Sequence, residues 1–363
     1  MAFESMPETH DQSDRQLKVV DFFCGAGGMS FGLSQAGLQI LAGIDNSKDC
    51  QRTYEANVAG AKYIRRDLTR LSTKELARRL SIAPDDPSLV FCGCSPCQFW
   101  SKIRTDKSKS VQTAFLLKQF QRFIKAFRPG FVVIENVPGL FRRKDNDILR
   151  NFHDFLHRLG YDFAHDVVNA HNYGVPQNRL RYLLIASRFG KVKTLPPHAE
   201  NAGLSVKDFI GVDHGFPRIS AGHRDASEFI HTAMALSDKN LRRIRMTPAD
   251  GGDRSSWAGD EELQIDAYRG RDKIFRDVYG RMSWGKPAPT ITTRFHSLSN
   301  GRFGHPEEHR AISIREGATL QTFPQDYCFV SSTLDSLARQ IGNAVPPALA
   351  RHIGQHLIAV NDG

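Results

Sequence analysis

A cysteine that follows a proline, in Gly93-Cys94-Ser95-Pro96-Cys97-Gln98, and a carboxylate further along, in Glu135-Asn136-Val137, are the side chains best suited to chemistry in this 363-residue chain. Each follows an apolar run that reads as a buried parallel strand, Ser88-Leu89-Val90-Phe91-Cys92 before the first and Gly130-Phe131-Val132-Val133-Ile134 before the second. In an open parallel sheet, ligands bind beyond the carboxyl ends of the strands, so thiol and carboxylate are expected on one rim. One chemistry needs that pair: addition of a thiolate across C5=C6 of a cytosine. Carbon 5 of cytosine is a poor nucleophile. A sulfur bonded to C6 makes it enamine-like, and a carboxyl group contacting N3 and the 4-amino group helps the ring accept the charge. Cys97 is then the nucleophile and Glu135 the hydrogen-bonding acid.

A group donor is expected upstream. Lys18-Val19-Val20-Asp21-Phe22-Phe23-Cys24-Gly25-Ala26-Gly27-Gly28-Met29-Ser30 reads as a strand running into a Gly-rich turn that opens a helix at about 28–36. The Gly-x-Gly-Gly spacing is not the dinucleotide fingerprint, and no Lys-Ser/Thr follows to make a P-loop. A second strand, 39–44, ends at Asp45, whose carboxylate could take both ribose hydroxyls of a nucleoside. A third segment ends at Asp67, beside Leu68, which could flank an adenine. With no phosphate-binding apparatus, this suits S-adenosylmethionine, a nucleoside carrying a cationic sulfur.

Taken together these motifs resemble the cytosine-5 DNA methyltransferase family, in its prokaryotic modification-methylase form. The Phe23-x-Gly25-x-Gly27-Gly28 turn resembles the family's cofactor loop, Pro96-Cys97-Gln98 its nucleophile motif and Glu135-Asn136-Val137 its catalytic acid motif. Tyr173-Gly174-Val175-Pro176-Gln177-Asn178-Arg179-Leu180-Arg181 is similar to its paired-arginine strand. Arg315-Glu316-Gly317-Ala318-Thr319-Leu320-Gln321-Thr322-Phe323-Pro324 resembles the segment supporting its recognition domain, and Gln340-Ile341-Gly342-Asn343-Ala344-Val345 the helix start that returns to the cofactor. Six such motifs in order cover nearly the whole chain. The resemblance implies that Phe23 stacks on or flanks the cofactor, that Asn343 and Val345 close its pocket, and that Arg181 holds the cytosine O2 and orients Glu135. It places Arg179 beside the reacting base and Thr290 on the DNA backbone. Pro96 counts among the substrate-binding residues, and Gln98 and Ser101, near the start of a closing loop, would occupy space around the site the flipped base vacates. One departure stands out: many relatives place Trp after the ribose-binding acid, stacked on adenine, and here that residue is Asn46.

Composition agrees with a polyanionic partner without requiring one. Lys plus Arg number 49 against 39 Asp plus Glu, a net charge of +10. No apolar run approaches the roughly 18 residues of a membrane span, and residues 1–17 are polar, lack a signal-peptide stretch and read as a flexible arm. The six cysteines, without a secretory signal, fit a reduced cytosolic compartment better than a disulfide framework. Cys94-Ser95-Pro96-Cys97 has C-x-x-C spacing, but no second such pair completes a zinc site. His153 and His157 are four apart on a helix with no third ligand apparent, so no metal is expected.

Around these motifs the first half alternates strand and helix. Helices are expected near 48–58, 74–80, 111–127 and 147–159, with strands near 163–170 and 181–187. Residues 101–110 are polar and basic and read as a mobile loop after the nucleophile. The helix after it carries an apolar stripe, Phe115, Leu116, Phe120, Phe123, Ile124 and Phe127, that reads as core. From 190 to 304 periodicity fades. Leu241-Arg242-Arg243-Ile244-Arg245, Arg269-Gly270-Arg271-Asp272-Lys273 and the stretch from Trp284 to Arg294 suggest groove reading and phosphate anchoring, although a surface ion pair is the commoner fate of any one arginine.

The expected architecture is α/β: a Rossmann-like methyltransferase domain with a mostly parallel sheet (18–189 and 334–363), plus a smaller irregular target-recognition domain with its supporting segment (190–333). The expected enzyme is a monomeric DNA (cytosine-5-)-methyltransferase of the cytoplasm, nucleoid-associated through DNA binding. Its donor is S-adenosyl-L-methionine and its partner double-stranded DNA, with a cognate restriction endonuclease allowed but not physically required, and no membrane. Three other readings compete. A tRNA cytosine-5 methyltransferase shares the scaffold. A catalytically inactive DNA-binding regulator would have no reason to retain Cys97, Glu135, Arg181 and the glycine turn together. An exocyclic-amine methyltransferase needs an Asp/Asn-Pro-Pro-Tyr/Phe-like site where this chain has Ser-Pro-Cys.

Overall fold

Runs of Val, Ile, Leu and Phe form a seven-stranded sheet at the centre of the computed structural model, which describes residues 16–94, 107–139, 147–198, 203–269 and 275–362. The strands are β1 (Lys18–Phe22), β2 (Gln39–Asp45), β3 (Lys62–Arg65), β4 (Leu89–Gly93), β5 (Phe131–Asn136), β6 (Asp162–Asn169) and β7 (Leu180–Ser187), in the order β3-β2-β1-β4-β5-β7-β6. Neighbours from β3 to β5 pair in parallel, and β7 runs antiparallel to both β5 and β6. The mostly parallel sheet is therefore as expected. The reversal of β7 brings its first residues, not its last, to the rim where β1, β2, β4 and β5 end.

Successive residues of each inner strand feed opposite faces. Val19, Val90 and Val133 enter one apolar layer; Val20, Phe91 and Val132 enter the other. Two-sided burial explains why these strands read as continuous apolar runs. Helices α1 (Gly28–Gln35), α2 (Lys48–Asn57) and the C-terminal α9 (Pro347–Asp362) supply Met29, Leu33, Tyr54, Leu349 and Ile353 to the first layer. Helices α3 (Thr73–Leu80), α4 (Lys107–Phe127) and α5 (Asp147–Arg158) supply Leu76, Phe120, Phe123, Phe152 and Leu156 to the second.

Two expectations about α4 are corrected. Residues 107–110, read as loop, already belong to the helix, because a polar first turn carries no apolar period to reveal it. Phe115, read as core, is 47% exposed, and Leu117 is buried instead. Residues 95–106, which include Pro96, Cys97, Gln98, Ser101 and the first part of the closing loop, lie outside the described residues. So do residues 1–15 of the N-terminal arm and 270–274 of the Arg-Gly stretch.

Between Ser187 and Ile314 the described chain has one α-helix, α6 (Asp238–Met246), short 3-10 turns and isolated bridges. Little regular structure leaves many backbone carbonyls in need of partners. Buried arginines supply them. Arg281 donates to the carbonyls of Thr247, Ile244, His305 and Glu308 at 2.6–2.9 Å. Arg243, one of the arginines expected to read or anchor DNA, instead donates to Leu263 O at 2.8 Å and is buried. A third apolar cluster joins Val206, Ile291, Phe295 and Ile312 to α7 (Ile314–Leu320), α8 (Leu334–Asn343) and Ala26 of the glycine turn. No described helix is long and apolar enough to cross a membrane.

Candidate active site

A cleft of about 660 Å³ opens where β1, β2, β4 and β5 end. Its floor is the turn after β1. Phe23 lines the cleft with φ 62, a left-handed backbone that a bulky residue rarely adopts, and its N–H is held by Ile44 O at 2.8 Å. Gly25 and Gly27 continue the turn at φ 52 and 94, where a side chain would be strained. The Gly25 N–H donates to Asp45 Oδ2 at 3.0 Å. Gly28 starts α1 behind the turn, where an added Cβ would lie 2.3 Å from Val345 O. Gly25 thus lines the cleft, whereas Gly27 and Gly28 shape it from behind.

Asp45, at the end of β2, also accepts from the Ser47 N–H at 2.8 Å. Burial raises its carboxyl above the usual range, against the pull of those backbone donors. Asn343 and Val345 line the cleft from the far side. Asp67 and Leu68 are not brought into that lining. Asp67 caps its own turn, accepting from the N–H and hydroxyl of Thr69 at 2.8 Å each, and Leu68 is buried in the second apolar layer.

The other wall carries the acid. Glu135 lies near the end of β5, 5% exposed, and its Oε1 is 2.8 Å from Arg181 Nε. The antiparallel register pairs Glu135 with Leu183, two residues past Arg181, so strand pairing itself fixes the ion pair. Arg181 Nη1 donates to Leu180 O at 2.7 Å. Cys94 lines the same cleft where the chain leaves β4 toward Cys97.

Arg179 also lines the cleft, but its guanidinium donates to Ile291 O, Gly342 O and Ala344 O at 2.9–3.1 Å. Gln177 works beside it, joining Leu320 O, Gln321 and the Ile291 N–H. The segment read as holding the base thus divides its labour: Arg181 faces Glu135, while Gln177 and Arg179 tie the 290 loop and the supporting segment to the end of α8. Thr290, expected on DNA backbone, lines the cleft and donates its hydroxyl to Asn178 O at 2.6 Å.

One cleft-lining carboxylate escaped the sequence reading. Asp21 is fully buried within β1 and lines the cleft. Its Oδ2 accepts from Ser30 Oγ at 2.7 Å, and Ser30 in turn accepts from Tyr54 Oη at 3.0 Å. Its Oδ1 has no hydrogen-bond partner among the described residues, and burial pushes the carboxyl up to about 7. The signal was present: a carboxylate between Val20 and Phe22 in an otherwise apolar strand is costly unless something pairs with it. His153 Nε2 is 3.0 Å from Tyr182 Oη, and His157 packs on Phe163.

Comparison with known proteins sets this geometry in context. A family model described as C-5 cytosine-specific DNA methylase matches residues 17–359. The type II methylase M.HgiDII of Herpetosiphon aurantiacus is 39% identical over 344 residues, 93% of this chain and 94% of that protein. The type II methyltransferase M1.HphI of Haemophilus parahaemolyticus is 32% identical, over 95% of this chain and 87% of that protein. Among solved structures, a DNA modification methyltransferase encoded within an E. coli prophage superposes with a TM-score of 0.70 at 22% identity, covering 96% of this chain and all of that one.

Proposed function

Because the chain belongs to the C-5 cytosine-specific DNA methylase family and is a DNA cytosine-5-methyltransferase, we propose that it methylates a flipped-out cytosine within a specific duplex sequence through a covalent bond from Cys97 to C6. The observation that carries this reading is the Glu135–Arg181 pair, 2.8 Å apart and nearly buried, in the same cleft as Asp45 and the glycine turn.

The cleft residues fit S-adenosylmethionine. Asp45 offers two carboxylate oxygens to a ribose diol, and each already has one backbone N–H to hold it in place. The open Oδ1 of buried Asp21 suits a cationic ligand. Phe23, Asn343 and Val345 would complete the contact, with Asp67 and Leu68 reached only beyond the present cleft lining. When bound, the donor supplies a methyl group on positively charged sulfur.

The protein's own residues account for the rest. A cytosine must leave the base stack before C6 can be reached; Pro96 would contact the substrate, and Gln98 and Ser101 would occupy space around the site it vacates. The Cys97 thiolate adds to C6 while Glu135 donates to N3, so that the electron pair displaced from C5=C6 is accommodated in the ring. Arg181 holds Glu135 in register and reaches the base edge. C5, now enamine-like, takes the methyl group; its proton passes to a base such as water, and β-elimination frees Cys97. Holding base and donor together supplies much of the acceleration. Residues 190–333 would read the DNA sequence, with Thr290 near the backbone and Arg179 anchoring the assembly from below. The type II names of the relatives support a restriction–modification setting with a cognate endonuclease, and the reading carries with it a monomer acting in the cytoplasm.

Methyl-labelled donor, offered with duplex DNA or tRNA, tests this directly. Nuclease digests of the DNA should yield labelled 5-methyl-2′-deoxycytidine. Label confined to tRNA, or found on an exocyclic amine, would contradict the reading.

A further inference from the structure

Arg339 of α8 lines the cofactor cleft, is exposed, and makes no hydrogen bond or ion pair with any described residue. The other two cleft-lining arginines are committed, Arg179 to three carbonyls and Arg181 to Glu135. Its place is fixed by its neighbours. Ser336 Oγ donates to Asp49 Oδ2 at 2.9 Å and Gln340 Nε2 to Asp49 O at 3.1 Å, so this face of α8 is docked on the start of α2. Burial pushes the Cys50 thiol up to about 11; the hydrogen bond with Ser47 and the charge of Arg339 oppose the rise.

This is also the end occupied by Asp45, Asn46 and Ser47. A purine needs flat surfaces on its faces, yet Phe23 is the one aromatic ring among the described lining residues. Asn46, directly after the carboxylate assigned to the ribose, offers no ring. A guanidinium is planar and packs on aromatic faces. A free cation would repel the sulfonium of the donor, but at the nucleoside end it meets a neutral base.

We propose that Arg339 is a donor-binding residue whose guanidinium packs on the adenine ring. This rests on the cofactor reading above. The test is calorimetric binding of S-adenosylmethionine, S-adenosylhomocysteine and 5′-methylthioadenosine to the full chain, to Arg339→Ala and to Arg339→Lys. Arg339→Ala should weaken all three by about tenfold, the scale of a partly desolvated cation–π contact. The loss should include 5′-methylthioadenosine, which has no amino-acid tail, and Arg339→Lys should recover part of it. The donor KM should rise while kcat at saturating donor stays at the wild-type value. Unchanged affinity in Arg339→Ala would overturn the proposal. So would a loss confined to the two ligands with a carboxylate, which would make Arg339 an anion contact. If the unaltered protein bound none of the three, the cofactor reading itself would fall, a result distinct from normal binding that ignores Arg339.

Discussion

Asp21→Asn keeps the shape of a buried side chain and removes its ionisation. In the folded protein burial pushes this carboxyl up to about 7; the hydrogen bonds from Ser30 oppose the rise and the charge of Asp45 adds to it. In the unfolded chain it ionises near its ordinary value of 3.8. Between those two values the folded state holds a proton that the unfolded state has released. Stability therefore falls as pH climbs from about 4 to about 7, by at most about 4 kcal/mol, and the variant should lack that fall. A cationic donor reverses the preference, since it binds the ionised form better. Donor affinity should rise about tenfold between pH 6 and pH 8 and level off above. Asp45 is raised as well, but two backbone N–H groups favour its ionised form, so Asp21 should dominate the slope. Titration calorimetry in two buffers of different ionisation enthalpy reads both the affinity and the proton released on binding near pH 6.5. The variant should bind more weakly at pH 8 and release fewer protons. An equal pH slope and equal proton release in Asp21→Asn would refute the reasoning.

Other expectations follow from the same geometry. Glu135→Gln should lower kcat by about 10²–10⁴ while leaving donor affinity at the wild-type level in the same calorimeter, because the acid acts on the base and not on the cofactor. Glu316 lies buried against Arg310 at 2.7 Å and forms a capping box with Ser313; although burial alone would raise its carboxyl, Arg310 holds it at about 2. Its stabilising effect should be present above about pH 4.5 and fade as pH falls toward 2, and Glu316→Gln should cost about 1–3 kcal/mol in denaturant melts at neutral pH, the scale of losing charged hydrogen bonds, since Arg310 keeps Glu308 at 3.1 Å. Exchanging residues 190–304 for the matching region of a related enzyme should move the methylated site, which sequencing of modified plasmid DNA would show; an active chimera that kept the original site would place recognition elsewhere.

What the sequence disclosed, and what it hid, divides along physical lines. Strands buried on both faces announce themselves as apolar runs, and Gly25 and Gly27 mark a turn because other residues are strained there. Hence the rim bearing Phe23, Asp45 and Glu135 was legible. The antiparallel sense of β7 was not, since pairing direction leaves no trace in an apolar run. Arg243 is basic and sits in a polar stretch, so it read as a DNA contact or a surface ion pair; only the fold reveals the carbonyl of Leu263 it serves. Arg179 and Arg181 look alike two residues apart, yet one donates to the carbonyls of Ile291, Gly342 and Ala344 and the other meets Glu135. Asp21 left a signal, a lone carboxylate in an apolar strand, but that signal says only that something must pair with it; the open position at Oδ1 is seen in three dimensions alone.

The central claim is the bond between Cys97 and C6 of a flipped cytosine. Fluorine at C5 cannot depart as a cation, so the reaction should stop after methyl transfer with the protein still attached. Duplex DNA carrying 5-fluorocytosine at the target, incubated with the protein and S-adenosylmethionine, should give a complex that survives a denaturing gel and maps to Cys97. Cys97→Ser should abolish it and Cys94→Ser should retain it. A complex that still forms in Cys97→Ser, or one that maps to Cys94, would contradict the account.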